Sequence, residues 1–252
     1  ETTLFPYTTL FRSLSASGAI TNAGTIAVGA NTLVGATIGG AGTVTIDDTG
    51  SITAAGTITT LTVSAGTATL NGTGGGLVVG GDPGGAIQTS GTVTLNGAAF
   101  TSITNSGDLT FNTAATLSGD LNVTAGTVTL NDALSASGAI TNDGTIAVGV
   151  NTVTAGSITG GGEVTISTGT INAGGTSTIT TLTVSGGPAI LNSTGTVLTI
   201  ADDPDGAIQT SGTVTLNGTA FTSITNSGDL TFNTTATLSG DLNVTAGTVT
   251  LN

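Results

Sequence analysis

The sequence contains no cysteine, methionine, tryptophan or histidine, and it has only one lysine or arginine against 14 acidic residues. Without cysteine it has neither a disulfide framework nor thiol chemistry. The net charge of −13 gives a surface that repels nucleic acid and anionic lipid, so we expect neither as a partner. We expect no membrane span either, because no apolar run approaches the roughly 20 residues that one requires.

Charged and aromatic residues are also scarce, at 6% and 3% of the chain. A typical soluble protein has about 25% charged residues. Disorder does not follow from this composition, because β-branched residues dominate and recur at regular spacing. With 37% apolar residues and few rings, the interior must be thin and filled by small aliphatic side chains.

What the sequence does contain is a short repeat, typified by IQTSGTVTL at 87–95. In 12 of the 14 repeats an Ile or Leu lies four positions before a marker glycine, the exceptions being Asn122 and Asn243. Apolar residues lie two and four positions after the glycine, again in 12 of 14 each, usually with threonine between them. The mean spacing of the markers is about 17 residues, which is typical of a solenoid. The 14 marker glycines are Gly24, Gly42, Gly56, Gly74, Gly91, Gly107, Gly126, Gly144, Gly162, Gly175, Gly195, Gly212, Gly228 and Gly247.

The alternation of apolar and polar residues predicts short strands with one face inward and one outward. Such strands become stable when the next coil stacks on them at about 4.8 Å, which pairs the backbone and buries the apolar side. We therefore predict an all-β protein, a parallel β-solenoid of about 14 coils of about 17 residues. Each coil should contain a strand, a turn, a shorter second strand and another turn.

Comparison of the sequence with itself divides the chain into three segments. Residues 14–133 and 134–252 form two continuous solenoid blocks, and between 86–131 and 207–252 only two positions differ, Ala98/Thr219 and Ala114/Thr235. Residues 1–13 hold the only Arg (Arg12) and the only Tyr (Tyr7) and have no glycine. The stretch 3–13, TLFPYTTLFRS, resembles a translated sequencing adapter, so we interpret 1–13 as a non-native segment.

The repeated threonines are the first candidate site. Outward Thr-x-Thr ranks on a flat solenoid face resemble those of ice-binding proteins, although threonine is also simply a good polar strand former. The ranks are interrupted by Ala27, Asp108, Ala147, Glu163 and Asp229. The complete pairs are Thr43/Thr45, Thr57/Thr59, Thr92/Thr94, Thr127/Thr129, Thr176/Thr178, Thr213/Thr215 and Thr248/Thr250.

Acidic turns are the second candidate, at Asp47-Asp48, Asp82 and Asp202-Asp203-Pro204-Asp205. Clustered carboxylates can bind Ca²⁺, but solvated turn residues are the simpler interpretation, and we assign no metal ligand. A glycosidase needs two carboxylates. No aspartate pair is accompanied by an aromatic platform or by Arg or His. We therefore assign no catalytic or cofactor-binding residue and expect no enzyme and no cofactor.

Four phenylalanines recur between the blocks. Phe111 and Phe232 occupy inward positions and should stack in the core. Phe100 and Phe221 could be exposed ligand contacts, but we expect them to pack under a turn.

The motif I-T-N-x-G-T-I-x-V, with its partner G-T-V-T-L, resembles the repetitive passenger regions of bacterial surface proteins. These are filamentous-haemagglutinin-like adhesins and autotransporter-associated β-strand repeats. The resemblance covers 14–252 and implies a right-handed parallel β-helix on the bacterial cell surface, acting as a stalk or adhesive fibre. A host or neighbouring-cell surface, or a polysaccharide, would be the partner.

We therefore interpret the chain as an interior fragment of such a secreted, extracellular protein, of metagenomic origin. Ice binding is the alternative, and a carbohydrate-active β-helix enzyme is third. Open coil ends would expose unpaired strand edges, so we also expect end-to-end self-association.

Overall fold

A computed structural model describes residues 13–64, 66–79, 87–89, 92–96, 98–100, 102–185, 189–193, 197–200, 208–210, 214–217, 219–221, 224–226, 228–233, 235–238 and 240–252. Within these ranges the regular structure is entirely β-strand and every strand pairing is parallel. The described residues include no helix able to cross a bilayer. The predicted all-β parallel solenoid is confirmed.

The strands are β1 (Ser13–Thr21), β2 (Thr25–Ala27), β3 (Thr32–Gly39), β4 (Thr43–Ile46), β5 (Gly50–Ile58), β6 (Thr60–Val63), β7 (Thr67–Val79), β8 (Ile87–Thr89), β9 (Thr92–Asn96), β10 (Ala98–Phe100), β11 (Ile103–Asn105), β12 (Asp108–Phe111), β13 (Ala115–Leu117), β14 (Leu121–Val123), β15 (Thr127–Leu130), β16 (Leu134–Asn142), β17 (Thr145–Gly149), β18 (Thr152–Thr159), β19 (Glu163–Ile166), β20 (Thr170–Ala173), β21 (Thr176–Ile179), β22 (Thr181–Val184), β23 (Ala189–Ser193), β24 (Val197–Ile200), β25 (Ile208–Thr210), β26 (Val214–Asn217), β27 (Thr219–Phe221), β28 (Ile224–Asn226), β29 (Leu230–Phe232), β30 (Ala236–Leu238), β31 (Leu242–Val244) and β32 (Val249–Leu251).

Each turn of the solenoid contributes one strand to each of three stacked ladders. Ladder 1 contains the first parts of β1, β3, β5 and β7, then β9, β12, β15, β17, β19, β22, β25, β28 and β31. Ladder 2 contains the second parts of β1, β3, β5 and β7, then β10, β13, the first parts of β16 and β18, β20, β23, β26, β29 and β32. Ladder 3 contains β2, β4, β6, β8, β11, β14, the second parts of β16 and β18, and then β21, β24, β27 and β30.

Long strands such as β1 and β3 serve two ladders because they bend at a corner, where their register shifts between Ala16 and Ala19. Ladder 3 has a change of bonding between β18 and β21. There the amide of Ile158 donates to the Ser177 hydroxyl at 3.0 Å instead of to a backbone carbonyl. The last four strands of ladder 3 accordingly form a separate sheet.

The three-stranded turn corrects the predicted coil of two strands and about 17 residues. On ladder 1, ten steps lead from Gly50 to Leu242, which is about 19 residues per turn. The described strands make about a dozen turns rather than 14. The estimate was wrong because the marker glycines do not share one ladder: Gly42 precedes a ladder 3 strand, Gly56 lies within ladder 2, and Gly126 precedes a ladder 1 strand.

The core is a continuous column of inward-facing aliphatic side chains. In β4, Val44 and Ile46 are buried while the intervening threonines are half-buried, and most described strands repeat this alternation. Each buried Leu, Ile or Val stabilises the fold by roughly 1.5–3 kcal/mol relative to exposure. Every turn therefore depends on its neighbours to cover its apolar face.

The phenylalanine expectations are confirmed where side chains are described. Phe111 and Phe232 are buried, as predicted for core positions. Phe100 is also buried, so it is a packing residue, and its ring meets that of Phe111 edge to face at 6.2 Å. The side chain of Phe221 lies outside the described residues.

The two sequence blocks contribute equivalent strands to different ladders. The described part of each block supplies 19 strand segments, counting the two-ladder strands twice, which is six turns and one extra strand. The segment TIA of β2 therefore lies in ladder 3, whereas the same sequence in β17 lies in ladder 1. A surface feature of the block is rotated by one face in the second copy.

Close stacking of turns places strict demands on particular glycines. Gly160 has φ +115°, and a Cβ there would lie 2.2 Å from the carbonyl oxygen of Asn142 in the preceding turn. The adjacent Gly161 lacks a left-handed φ, and its nearest Cβ neighbour would be an Asp143 carboxylate oxygen at 3.8 Å. The two positions provide a matched pair of substitutions.

Gly160→Ala should destabilise the protein by about 1–3 kcal/mol or more, because it adds backbone strain and a clash with the neighbouring turn. Gly161→Ala should stay within about 0.5 kcal/mol of wild type. Urea unfolding followed by far-UV circular dichroism measures both. Equal stability of the two variants would contradict the stacking at this turn.

Candidate functional site

The outward surface of ladder 1 carries two parallel columns of mostly threonine positions, which we call the threonine face. By backbone register, the first column contains Thr67, Thr92, Asp108, Thr127, Thr145, Glu163 and Thr181, and the second contains Thr69, Thr94, Thr110, Thr129, Ala147, Thr165 and Thr183. Thr92 is assigned from its backbone position alone. Strand geometry spaces the positions about 4.8 Å apart along a column and about 6.7 Å apart across the two columns.

The threonine face differs from the rank expected from the marker glycines. Of the predicted pairs, only Thr92/Thr94 and Thr127/Thr129 belong to it. The pairs at 43/45 and 176/178 lie on ladder 3, while Thr57, Thr215 and Thr250 lie on ladder 2, and Thr213 is outside the described residues. The expectation missed 67/69 and 181/183. A search for Thr-x-Thr independent of the marker would have found both.

Two interruptions of the threonine face, Glu163 and Asp108, accept hydrogen bonds from neighbouring threonines. Glu163 accepts a hydrogen bond from the hydroxyl of Thr183 at 2.6 Å. Asp108 accepts one from the backbone amide of Thr127 in the next turn at 3.1 Å. Ala27 and Asp229, two other expected interruptions, lie on ladder 3 and before a ladder 2 strand. The face is thus interrupted at three of its fourteen positions, by Asp108, Ala147 and Glu163.

Beside the threonine face, four side-chain amides form an asparagine ladder. The Nδ2 of Asn96 donates to Oδ1 of Asn71 at 2.7 Å, that of Asn112 to Asn96 at 3.0 Å, and that of Asn131 to Asn112 at 2.7 Å. Below it, Asn71 donates to the hydroxyl of Thr53 at 3.2 Å. Four amides and the Thr53 hydroxyl therefore link five successive turns through side chains alone.

The second block repeats this arrangement on ladder 2. Asn192 donates to Asn172 at 2.8 Å, and Asn172 donates to the hydroxyl of Thr154 at 3.2 Å. Asn252 donates to Asn233 at 2.9 Å. The sequence interpretation missed the asparagine arrangements of both blocks. The recurring Leu-Asn and Phe-Asn dipeptides at strand ends were a signal that could have predicted them.

Several aspartates bond to the neighbouring turn rather than presenting free carboxylates. Asp120 accepts from the amide of Ala139 at 2.8 Å and Asp143 from that of Gly161 at 2.9 Å. Asp229 accepts from the amide of Thr248 at 2.9 Å. These carboxylates satisfy amides at turn corners, which gives them a structural role.

The acidic turns, which we interpreted as solvated in preference to a cation site, are described only in part. Asp47 and Asp48 are exposed, and Asp48 bonds to the adjacent amide of Thr49 at 2.7 Å. Asp82, Asp202, Asp203 and Asp205 lie outside the described residues. Among residues with described positions, no three acidic, histidine or cysteine side chains group as metal ligands would.

A groove of about 500 Å³ lies where the asparagine ladder ends. Its wall includes Asn131, Asn151 and Ser167, together with Val150, which is 68% exposed. None of its described lining residues is titratable. The groove can form hydrogen bonds and apolar contacts, but these residues supply no general acid or base.

No protein-family model matches the sequence, and neither a curated protein nor a solved structure matches it. The comparisons therefore assign no family to this chain.

The asparagine ladder should show energetic coupling only between bonded neighbours. Asn96→Ala and Asn112→Ala should be non-additive by about 0.5–1 kcal/mol, because the first substitution already removes their shared hydrogen bond. Asn71→Ala and Asn131→Ala, which lie three turns or about 14 Å apart, should be additive. Double-mutant cycles in urea measure both pairs. Equal coupling in both pairs would contradict a ladder of local bonds.

Proposed function

We propose that this chain is a stiff, non-catalytic spacer in a large secreted bacterial surface protein, acting as a stalk or adhesive fibre. The observation that carries the proposal is the set of three parallel ladders, which extend along the described turns with one change of bonding, at Ser177. Backbone hydrogen bonds on three sides of each turn resist bending in every direction.

Side-chain hydrogen bonds also hold consecutive turns together along the solenoid axis. The asparagine ladder and the aspartate bonds from Asp120 and Asp143 each connect consecutive turns. A solenoid of this kind gains length with each added block and needs no central core, so the length of a spacer can be set by the number of blocks.

The extracellular location is supported by the sequence resemblance and by the absence of cysteine, which permits export without disulfide chemistry. The polar, weakly charged outer face offers hydroxyl and amide groups that suit hydrogen bonding to a polysaccharide or a cell-surface partner. The described residues of the groove wall include no titratable group, which supports a non-catalytic role.

The spacer function predicts a fixed distance between labels at the two ends of ladder 2. Thr21→Cys and Thr250→Cys place one dye on the first turn and one on the last, twelve steps or about 58 Å apart. Single-molecule energy transfer should give one narrow distribution near this value.

The matched control is Thr21→Cys with Thr116→Cys, five steps apart on the same ladder, for which we expect about 24 Å. A broad distribution for the long pair, with the short pair correct, would show a flexible chain and contradict the spacer function.

Ice binding is a second candidate, because the threonine face is a regular array on one side of the solenoid. Hydroxyl and methyl groups at constant spacing can hold an ordered layer of water. The carboxylates of Asp108 and Glu163 break this array, which is why we rank the spacer function first.

Ice recrystallisation assays test the second candidate directly. If the face binds ice, the wild-type chain should inhibit recrystallisation, and Thr129→Tyr should abolish inhibition because a ring disrupts the array. Thr45→Tyr, an outward threonine on ladder 3, should leave it unchanged. No inhibition by the wild-type chain at high concentration would exclude this function.

A further inference from the structure

The two ends of the described solenoid expose side chains whose equivalents are buried in its middle. At the C-terminal end, Leu242, Val244 and Leu251 are 41%, 44% and 77% exposed. Their counterparts in the first block, Leu121, Val123 and Leu130, are 0%, 1% and 3% exposed. At the other end, Leu14 is 54% exposed and its counterpart Leu134 is 1% exposed.

The middle of the chain shows what covers these residues. Where the first block meets the second, β13, β14 and β15 pair with β16 and β17. Leu121 lies opposite Ile140, and Val128 lies opposite Ile146. The Asp120 carboxylate accepts from the amide of Ala139 across this junction at 2.8 Å.

Both halves of this junction recur, unpaired with each other, at the two ends of the chain. Strands β30, β31 and β32 carry the sequences ATL, LNV and VTL of β13, β14 and β15. Strands β1 and β2 carry the sequences LSASGAIT and TIA of β16 and β17. The two ends are therefore complementary in sequence, in strand order and in exposed apolar side chains.

We propose that two copies of this chain associate head to tail, with β1 and β2 of one copy adding to β30, β31 and β32 of the other. The internal junction supplies the register: Leu242 opposite Ile20 of the second copy, and Val249 opposite Ile26. The carboxylate of Asp241 accepts a hydrogen bond from the amide of Ala19 of the second copy, as Asp120 does from Ala139 at the internal junction. Because the contact joins different surfaces and does not close, it produces linear filaments.

Two glycines at the first turn distinguish the docked state from the single chain. Among the described residues, none lies within 4 Å of a Cβ placed at Gly18 or at Gly24. At the internal junction their counterparts are tightly enclosed: a Cβ at Gly138 would lie 2.2 Å from Asp120 Oδ1, and one at Gly144 would lie 2.5 Å from the Gly126 carbonyl oxygen. A side chain at either end position therefore fits the monomer and obstructs the filament.

The test is sedimentation velocity of the full chain over a concentration series, with salt near about 0.15 M to screen its negative charge. The wild-type chain should form species that lengthen with concentration. Gly18→Val combined with Gly24→Val should raise the concentration needed for association at least about tenfold without changing the melting temperature. Gly39→Val, whose Cβ also meets nothing within 4 Å but lies on the side of the second turn, should associate like wild type.

Disulfide trapping tests the register independently, because the chain has no native cysteine. The internal pair Asn122 and Thr141 predicts that Asn243 faces Thr21 of the next copy. Under a thiol oxidant, Thr21→Cys with Asn243→Cys should give covalent oligomers. Thr21→Cys with Thr250→Cys should not, because the internal pair Thr129 and Ala147 predicts that Thr250 faces Ala27 of the next copy and not Thr21.

A wild-type chain that stays monomeric at high concentration would overturn the proposal. So would undiminished association of the Gly18 and Gly24 variant, since lateral contacts would then be responsible. Equal trapping of the matched and mismatched thiol pairs would overturn the register.

Discussion

Backbone hydrogen bonding between successive turns is the constraint on which the rest of this structure depends. Because the strands of successive turns lie about 4.8 Å apart, some corners have no room for any side chain. Glycines such as Gly126 and Gly160 occupy corners where a Cβ would meet the backbone of the turn before. The same spacing brings side chains of successive turns into contact, which is why asparagines form a bonded column and aliphatic residues a packed column along the axis. It also brings aspartates such as Asp120 within hydrogen-bond distance of an amide in the next turn.

The sequence was sufficient for the fold class and for the division of residues between core and surface. Alternation at Val44 and Ile46, and the inward position of Phe111, predicted buried residues that the structure confirms. These features are local, because the alternation within one strand of four residues is enough to predict which side chains are buried.

The number of turns could not be predicted in the same way, because it depends on which strands stack. One motif, Ile-x-x-x-Gly-Thr, serves all three ladders, so counting it gave the number of motifs and not the number of turns. Gly56 shows the error: it stacks between Ile38 and Leu77 and not on another marker glycine. The asparagine ladder and the threonine face likewise become visible only when the register between turns is known.

The block of 19 strands gives this solenoid a property that neither block has alone. Because 19 is one more than a multiple of three, each further block would rotate its surface by one face, and three blocks would restore the starting orientation. The rotation places the asparagine ladder on ladder 1 in the first block and on ladder 2 in the second. A long array would thus present the same surface in three directions.

A pulsed electron-spin distance between labels at Thr45 and Thr159 tests the stacking most directly. These residues are 114 positions apart in sequence but lie on ladder 3, joined through 62, 88, 104, 122 and 141. Six steps predict a narrow distribution centred near about 29 Å, before allowance for the label arms. A broad distribution, or a centre beyond about 40 Å, would contradict turns that lie directly over one another.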